Sequence, residues 1–285
     1  MEFAEIYRTG APAVSFELFP PKTAGGLSKL SQRLPKMKAL RPAFISVTFG
    51  AFGTAQDRTL EIAGQVRELG IEAAHHMTCV GSSREEITQR VERIRAAGIQ
   101  NIVALRGDPP AGTTRFTPPP DGFQYACELV GHLRSIGRMG IAVAGYPEKH
   151  LEAADLETDI RHLKTKVDMG ADIVITQLFY DNRCYYDFVD RCRRAGIDKP
   201  IVPGLLPILS LKQIQRITTM CGSRIPPQLL RSLEAAHGDD RKTHRIGIDH
   251  TLEQSRDLLA QGVPGIHFYV LNRYFHIAEI MAQLA

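Results

Sequence analysis

A cation and a carboxylate stand together at Arg106-Gly107-Asp108, directly after the apolar run Asn101–Leu105. That run is rich in β-favouring types and long enough for one buried strand. Pro109 and Pro110 forbid its continuation as strand or helix, and Gly107 lets the turn close tightly. In parallel α/β folds the carboxyl ends of strands, with the loops that follow, surround the ligand crevice. Arg106 and Asp108 therefore read in two ways: as ligand-binding charges at such an edge, or as a surface ion pair on an ordinary loop.

Glu17 raises the same question more sharply. It lies inside Val14–Phe19, between Phe16 and Leu18, where alternation puts it on one face of a strand. The bland reading is a carboxylate on a solvated side. A parallel sheet is covered on both faces, however, so a carboxylate there is costly unless it is used. An apolar setting raises a carboxyl pKa and suits Glu17 to general-acid work near neutral pH. His75 and His76 are successive, so only one of them can face the same side as a ligand. No HxxxH or HExxH spacing accompanies them, and no metal is expected. The absence of a GxSxG elbow argues against serine hydrolysis. His237, His244 and His250 read as surface residues, and Phe179-Tyr180 and Tyr185-Tyr186 as packing.

The elements that must position these residues alternate along the chain. Strands are predicted at Val14–Phe19, Phe44–Thr48, Ala73–Thr78, Asn101–Leu105, Ile141–Tyr146, Asp172–Gln177, Pro200–Leu205 and Gly265–Val270. Helical spacing of apolar residues fills the intervals, as at Leu27, Leu30, Leu34, Met37 and Leu40. Ile225–Gln261 has no strand signal and reads as a helical insertion before the last strand. The GxGxxG loop of a doubly wound dinucleotide fold is missing after every strand. The pattern predicts an α/β fold, a (β/α)8 TIM barrel spanning 1–285 as a single domain. Its strand ends collect Glu17, Thr48, His76, Arg106 with Asp108, Tyr146 with His150, Gln177, Leu206, Asn272 and Arg273. The opposite ends carry Gly70, Gly98, Gly140, Gly170 and Gly196, which is turn and helix-stop chemistry, so function is expected at the polar end.

Composition agrees with that picture. The 285 residues carry a formal charge of +4, with 44% hydrophobic and 23% charged residues, an ordinary globular balance. A barrel of this kind takes about 250 residues. The basic excess is dispersed, which argues against a nucleic-acid partner. Five cysteines form no CxxC pair and read as reduced thiols of a cytoplasmic protein. There is no signal-peptide pattern after Met1 and no apolar run of membrane-spanning length, so no membrane partner is expected.

Taken together, SFELFPPK (Ser15–Lys22), SVTFGA (Ser46–Ala51), HMTC (His76–Cys79), NIVALRGDPP (Asn101–Pro110), GYPEKH (Gly145–His150), ITQLFYD (Ile175–Asp181), PGLLPI (Pro203–Ile208) and HFYVLNR (His267–Arg273) resemble the methylenetetrahydrofolate reductase family, bacterial flavin-dependent type. The motifs run in order over almost the whole chain. The resemblance implies a barrel holding FAD, NADH or NADPH as hydride donor, a folate substrate and a homo-oligomer. It implies that Glu17 is the general acid and Asp108 the carboxylate near the flavin ring. Thr48, His76, Arg106, Gly107, Asp108, Tyr125, Ala126, Ala144, Tyr146, His150, Asp159 and Lys166 match cofactor-binding positions. Glu17, Gln177, Gln213, Leu271 and Arg273 match folate-contacting positions. The chain departs from the pattern at His162 and Thr165, where the family type has asparagine and arginine, and at Ile217, where it has phenylalanine.

The implied reaction has two half-steps in one site: reduction of the flavin by the nicotinamide, then reduction of methylenetetrahydrofolate. Glu17 would be protonated and Asp108 ionised, the division that unequal environments impose on two carboxyls. Three other readings stay open: a flavin-independent reductase of the same fold, a non-catalytic folate-binding protein, and a flavin barrel that oxidises an amino acid. No module beyond the barrel is expected to regulate it.

Overall fold

The structure is a computed structural model, which describes residues 1–48, 55–107 and 117–284. The strands are β1 (Ala13–Leu18), β2 (Phe44–Val47), β3 (Glu72–Thr78), β4 (Asn101–Leu105), β5 (Gly140–Gly145), β6 (Ile173–Thr176), β7 (Ile201–Val202), β8 (Gly204–Leu205) and β9 (Gly265–Tyr269). All pair in parallel, in the order β7-β6-β5-β4-β3-β2-β1-β9-β8.

The two ends of that order are one broken strand. Ile201 and Val202 pair with β6, and Gly204 and Leu205 pair with β9. Pro203 between them has no N–H, but its carbonyl accepts from His267 N at 2.9 Å. The seventh barrel strand thus gives one half to each neighbour, and the barrel closes. Gly204 is required at this seam. A Cβ there would lie 2.2 Å from the Thr176 carbonyl oxygen and 2.8 Å from the Tyr269 ring.

Alternation sorts the strand residues into two layers. Phe16, Leu18, Ile45, Val47, Ile102, Val143, Val174 and Phe268 face outward into the main core shared with the helices. Phe44, Ala74, Val103, Ala142, Ile173 and Ile175 face inward and form a second cluster. Helix α1 (Phe3–Ile6) plugs this second cluster from the strand N-termini: Phe3 meets Phe44 edge-on at 4.9 Å, and Phe3 N donates to Asn101 Oδ1 at 2.9 Å. Four residues are too few to show a period, so α1 escapes the sequence reading.

The outer helices are α2 (Ala24–Lys38), α3 (Ala55–Glu68), α4 (Arg84–Ala96), α5 (Ala126–Ser135), α6 (Leu156–Asp168), α7 (Asn182–Arg194), α8 (Leu211–Cys221), α9 (Pro227–Ala235), α10 (Asp240–Ala260) and α11 (Phe275–Leu284). The expected insertion needs correcting. Helix α10 packs against both α7 and α11, so it occupies a place in the ring. The additional pieces are α8 and α9, whose Ile214, Leu229 and Leu233 join Leu178, Tyr180, Leu206 and Ile208 in a satellite cluster. Helix α10 starts at Asp240, where Asp239 caps it by accepting from Lys242 N at 3.0 Å. Gly70, Gly98, Gly170 and Gly196 end helices with positive φ as expected, whereas Gly140 opens β5 instead.

Candidate functional site

Glu17 lies on the inner face of the barrel among imidazoles, not among apolar side chains. Its Oε2 is 3.3 Å from His76 Nε2 and 3.5 Å from His267 Nε2, and the Glu17 side chain is 19% exposed. His267 Nδ1 in turn sits 2.7 Å from Ser15 Oγ. The register puts Ser15 opposite His267 and Glu17 opposite Tyr269, so β1 and β9 together build the cluster. His76 comes from β3, while His75 points outward into the helix layer, where burial pulls its pKa down to about 3. Tyr269 donates its hydroxyl to the Thr176 carbonyl at 2.7 Å and feels both Glu17 and Tyr146.

This setting reverses the expectation for the Glu17 carboxyl. Burial raises its pKa, but the charge of His76 and the close approach of the His267 and His76 imidazoles outweigh burial and bring it down to about 2. The apolar pocket foreseen from Phe16 and Leu18 is on the other side of the strand, since those two residues belong to the outer core. Ser46, the neighbour of Glu17 on β2, is fully buried, and its Oγ has no hydrogen-bond partner among the described residues.

The second part of the site is a cavity of about 480 Å³ at the ends of β4 and β5, within the size range of small-molecule sites. Arg106, Tyr125, Ala126, Ala144, Tyr146, His150, Asp159 and Lys166 line it. Each of these eight is a position predicted to hold the cofactor. Lys166, from α6, donates to the Ala144 carbonyl at 2.6 Å. Arg106 grips Glu152 with both terminal nitrogens, at 2.5 and 2.6 Å. Buried Asp159 accepts from His150 N at 2.9 Å, and the His150 ring meets Tyr146 edge-on at 4.7 Å. The first turn of α5, a helix's positive end, contributes Ala126 and Cys127. Two cations and a helix start suit an anionic group, the Tyr146 and Tyr125 rings suit a flat partner, and Asp159 suits hydroxyls. These residues fit a flavin dinucleotide.

The remaining expected positions divide. Thr48 follows β2, with its carbonyl accepting from Thr59 Oγ1 at 2.9 Å, and it does not line the cavity. His76 belongs to the Glu17 cluster. Gly107 has φ +88 and would place a Cβ 2.8 Å from Val80, so the turn after β4 needs a glycine. Asp108 lies outside the described residues, as do Pro109 and Pro110. Gln177 follows β6, Gln213 is exposed in the first turn of α8, and Arg273 is exposed after β9. Leu271 and Asn272 take left-handed φ values of 47 and 56, and the Asn272 amide bonds both the N–H and the carbonyl of Phe19. That amide ties the loop after β9 to the end of β1. His162 and Thr165 line the cavity too, and Ile217 packs against the satellite cluster. His250 is not a surface residue: its Nε2 lies 3.1 Å from the Tyr180 carbonyl, and burial lowers its pKa. Among the described residues no three His, Cys, Asp or Glu side chains gather as metal ligands, and no helix is long and apolar enough to cross a membrane. Sequence reasoning missed His267 and Glu152, whose partners are far away in the chain.

Lys166 carries a stability consequence. Burial pulls its pKa from 10.5 to about 8, with Asp159 opposing. The folded protein therefore releases this proton at a lower pH than the unfolded chain does, and stability rises with pH between about 8 and 10.5. Lys166→Met is expected to flatten that rise and to stabilise the ligand-free protein at pH 7 by about 1–2 kcal/mol. It should at the same time weaken binding of an anionic ligand. Urea denaturation across the pH range checks the first part; a Lys166→Met protein no more stable than the parent would contradict it.

Comparison with known proteins follows the same lines. The family profile described as methylenetetrahydrofolate reductase matches residues 2–285. The chain is 42% identical over 279 residues to methylenetetrahydrofolate reductase (NADH) 1 of Arabidopsis thaliana, covering 94% of this chain and 47% of that protein. It is 38% identical over 261 residues to 5,10-methylenetetrahydrofolate reductase of Escherichia coli (strain K12), covering 91% of this chain and 86% of that one. The chain thus spans about half the length of its plant relatives. Among solved structures, an uncharacterized protein from Clostridium thermocellum that binds two copies of 5-methyl-5,6,7,8-tetrahydrofolic acid superposes with a TM-score of 0.68. The match covers 99% of this chain and 97% of that one, and at 16% identity it speaks to the barrel fold. By the profile match and the coverage of its bacterial relatives, this chain belongs to the methylenetetrahydrofolate reductase family.

Proposed function

We propose that the protein reduces 5,10-methylenetetrahydrofolate to 5-methyltetrahydrofolate, using FAD and NADH or NADPH in two half-reactions through one site. The observation that carries this reading is the pairing of a buried acid cluster, Glu17 with His76 and His267, with a cavity floored by Arg106 and Lys166. The NADH in the name of the Arabidopsis relative favours NADH as the donor here. The reading places the protein in the cytoplasm as a homo-oligomer.

Bound FAD would supply the two-electron carrier for hydride chemistry, which side chains cannot supply. Lys166, Arg106 and the first turn of α5 would hold its diphosphate, Asp159 its hydroxyls, and Ala144, Tyr146 and His150 its flat part. Thr48, His76 and Gly107 lie outside the cavity lining and would touch the group only where it extends beyond the cavity. Gln177, Gln213, Leu271 and Arg273 would hold the folate, the Arg273 cation facing the folate's carboxylates. Glu17 delivers a proton to the ring nitrogen whose bond to the bridging carbon breaks. The bonding electron pair stays on that nitrogen, and the carbon becomes an electrophilic iminium. The Asp108 carboxylate would stabilise this cation.

His162 and Thr165 on the cavity wall, where the family pattern has asparagine and arginine, favour the flavin-free reductase as the second reading. The visible spectrum of the purified protein separates the two. Yellow protein that NADH bleaches and methylenetetrahydrofolate restores is the expected result. Colourless protein that still reduces the folate would select direct hydride transfer. No reduction under either donor would leave only folate binding.

A further inference from the structure

The Glu17 site poses a supply problem: a carboxylate paired with imidazoles has no proton of its own to give near neutral pH. We propose that His267 is a positioning residue that stores this proton, and that Ser15, His267 and Glu17 form a buried relay which reloads Glu17 in each turnover. The substrate named in this relay rests on the reading under Proposed function, but the relay itself rests on the geometry of the chain.

Both ring nitrogens of His267 are engaged, and the ring is fully buried. Nδ1 faces Ser15 Oγ at 2.7 Å, and Nε2 faces Glu17 Oε2 at 3.5 Å. With the Nδ1 proton donated to Ser15, the Nε2 lone pair points at a carboxylate oxygen. That arrangement is repulsive unless a proton lies on the edge between them. The edge therefore holds one proton in the resting protein: on Nε2 of a neutral ring that accepts from Ser15, on Nε2 of an imidazolium that donates to Ser15, or on Oε2 as acid, and the relay runs from the imidazolium form. The step balances simply. Imidazolium His267 passes its Nε2 proton to the Glu17 carboxylate, Glu17 hands that same proton to the folate ring nitrogen, and the edge is left with an ionised Glu17 and a neutral His267 whose Nδ1–H still bonds Ser15. Protonation from water after product release restores the start.

The other groups around the ring do not compete for this role. Phe44 of β2 stacks on His267 with centroids 5.8 Å apart and brings no charge. Tyr269 of β9 lies edge-on at 5.5 Å, with its hydroxyl committed to Thr176. His76 of β3 comes within 3.3 Å of the same Glu17 oxygen but outside hydrogen-bonding geometry, so it adds field and not a wire. Ser46 is the remaining polar neighbour, and a hydroxyl stores no proton at this pH.

Two variants test the relay. His267→Gln keeps an N–H within reach of Glu17 but cannot carry an extra proton; His267→Asn keeps only the Ser15 side. In protein free of substrate, carbon NMR of labelled glutamate follows the Glu17 carboxyl. It is expected to protonate at a higher pH in both variants than in the parent. In single-turnover folate reduction, His267→Gln is expected to be about tenfold slower or worse, with one ionisation gone from the pH profile. Ser15→Ala should slow the step less and keep the number of ionisations. An unmoved Glu17 titration, or a slower His267→Gln protein with the parental pH profile, would overturn the relay. A parent protein that fails to reduce the folate would refute the proposed activity instead, and the NMR titration would still decide the relay.

Discussion

Glu17→Gln is expected to lower the rate of folate reduction by about 10²–10⁴-fold, the usual yield of a positioned general acid. In the proposed two-step reaction, reduction of bound flavin by the nicotinamide should survive in the same variant, because hydride transfer to the flavin does not call on Glu17. The amide matches the carboxyl in shape, so the barrel interior keeps its volume. What is lost is the proton and the charge that His76 and His267 face. Rapid-mixing spectroscopy of the two half-reactions reads the difference directly. Equal loss in both would show that Glu17 shapes the site without acting as its acid.

The second large effect concerns the seam. Gly204→Ala is expected to destabilise the protein by roughly 3–5 kcal/mol, the upper range for a steric conflict in a packed interior. The added Cβ would fall 2.2 Å from the Thr176 carbonyl oxygen, which is backbone and cannot swing away. To escape it, β8 would have to leave the sheet. Its departure would break the Gly204 N–H bond to Thr176 Oγ1 at 2.9 Å and the Pro203 carbonyl bond to His267 N at 2.9 Å. The site and the seam share β9, so catalysis should fall with stability. Gly25→Ala in α2 is the control: nothing lies within 4 Å of its Cβ, and the change should stabilise by up to about 1 kcal/mol. Guanidinium denaturation measures both. A Gly204→Ala protein as stable as the parent would mean that the seam tolerates strain.

The strands were legible because each is a short apolar run stopped by turn residues nearby. Asn101–Leu105 is found with the boundaries its sequence predicts, and the others agree to within a residue or two. The seventh strand was legible as one run, but not as two halves with different partners. Pro203 marks the break only once β6 and β9 are known to flank it. Helix α10 was misassigned because Asp240–Arg245 is polar throughout, and only its packing between α7 and α11 reveals a ring position. Eight of the expected cofactor positions line one cavity, which motif resemblance could anticipate. Glu152, the partner of Arg106 there, sits 46 residues away and carried no signal of its own.

By itself the sequence determined the kind of fold and where its polar rim lies. Apolar period and turn chemistry are local, and they can be read without knowing what packs against what. The state of Glu17 was decided only in three dimensions. Its flanking residues Phe16 and Leu18 suggested an acid kept neutral by apolar surroundings, yet alternation sends those two outward. The groups that set its charge are His76, on another strand, and His267, 250 residues further along the chain. A pKa answers to whatever stands within a few ångströms of the group, and closing the barrel is what brings those imidazoles there.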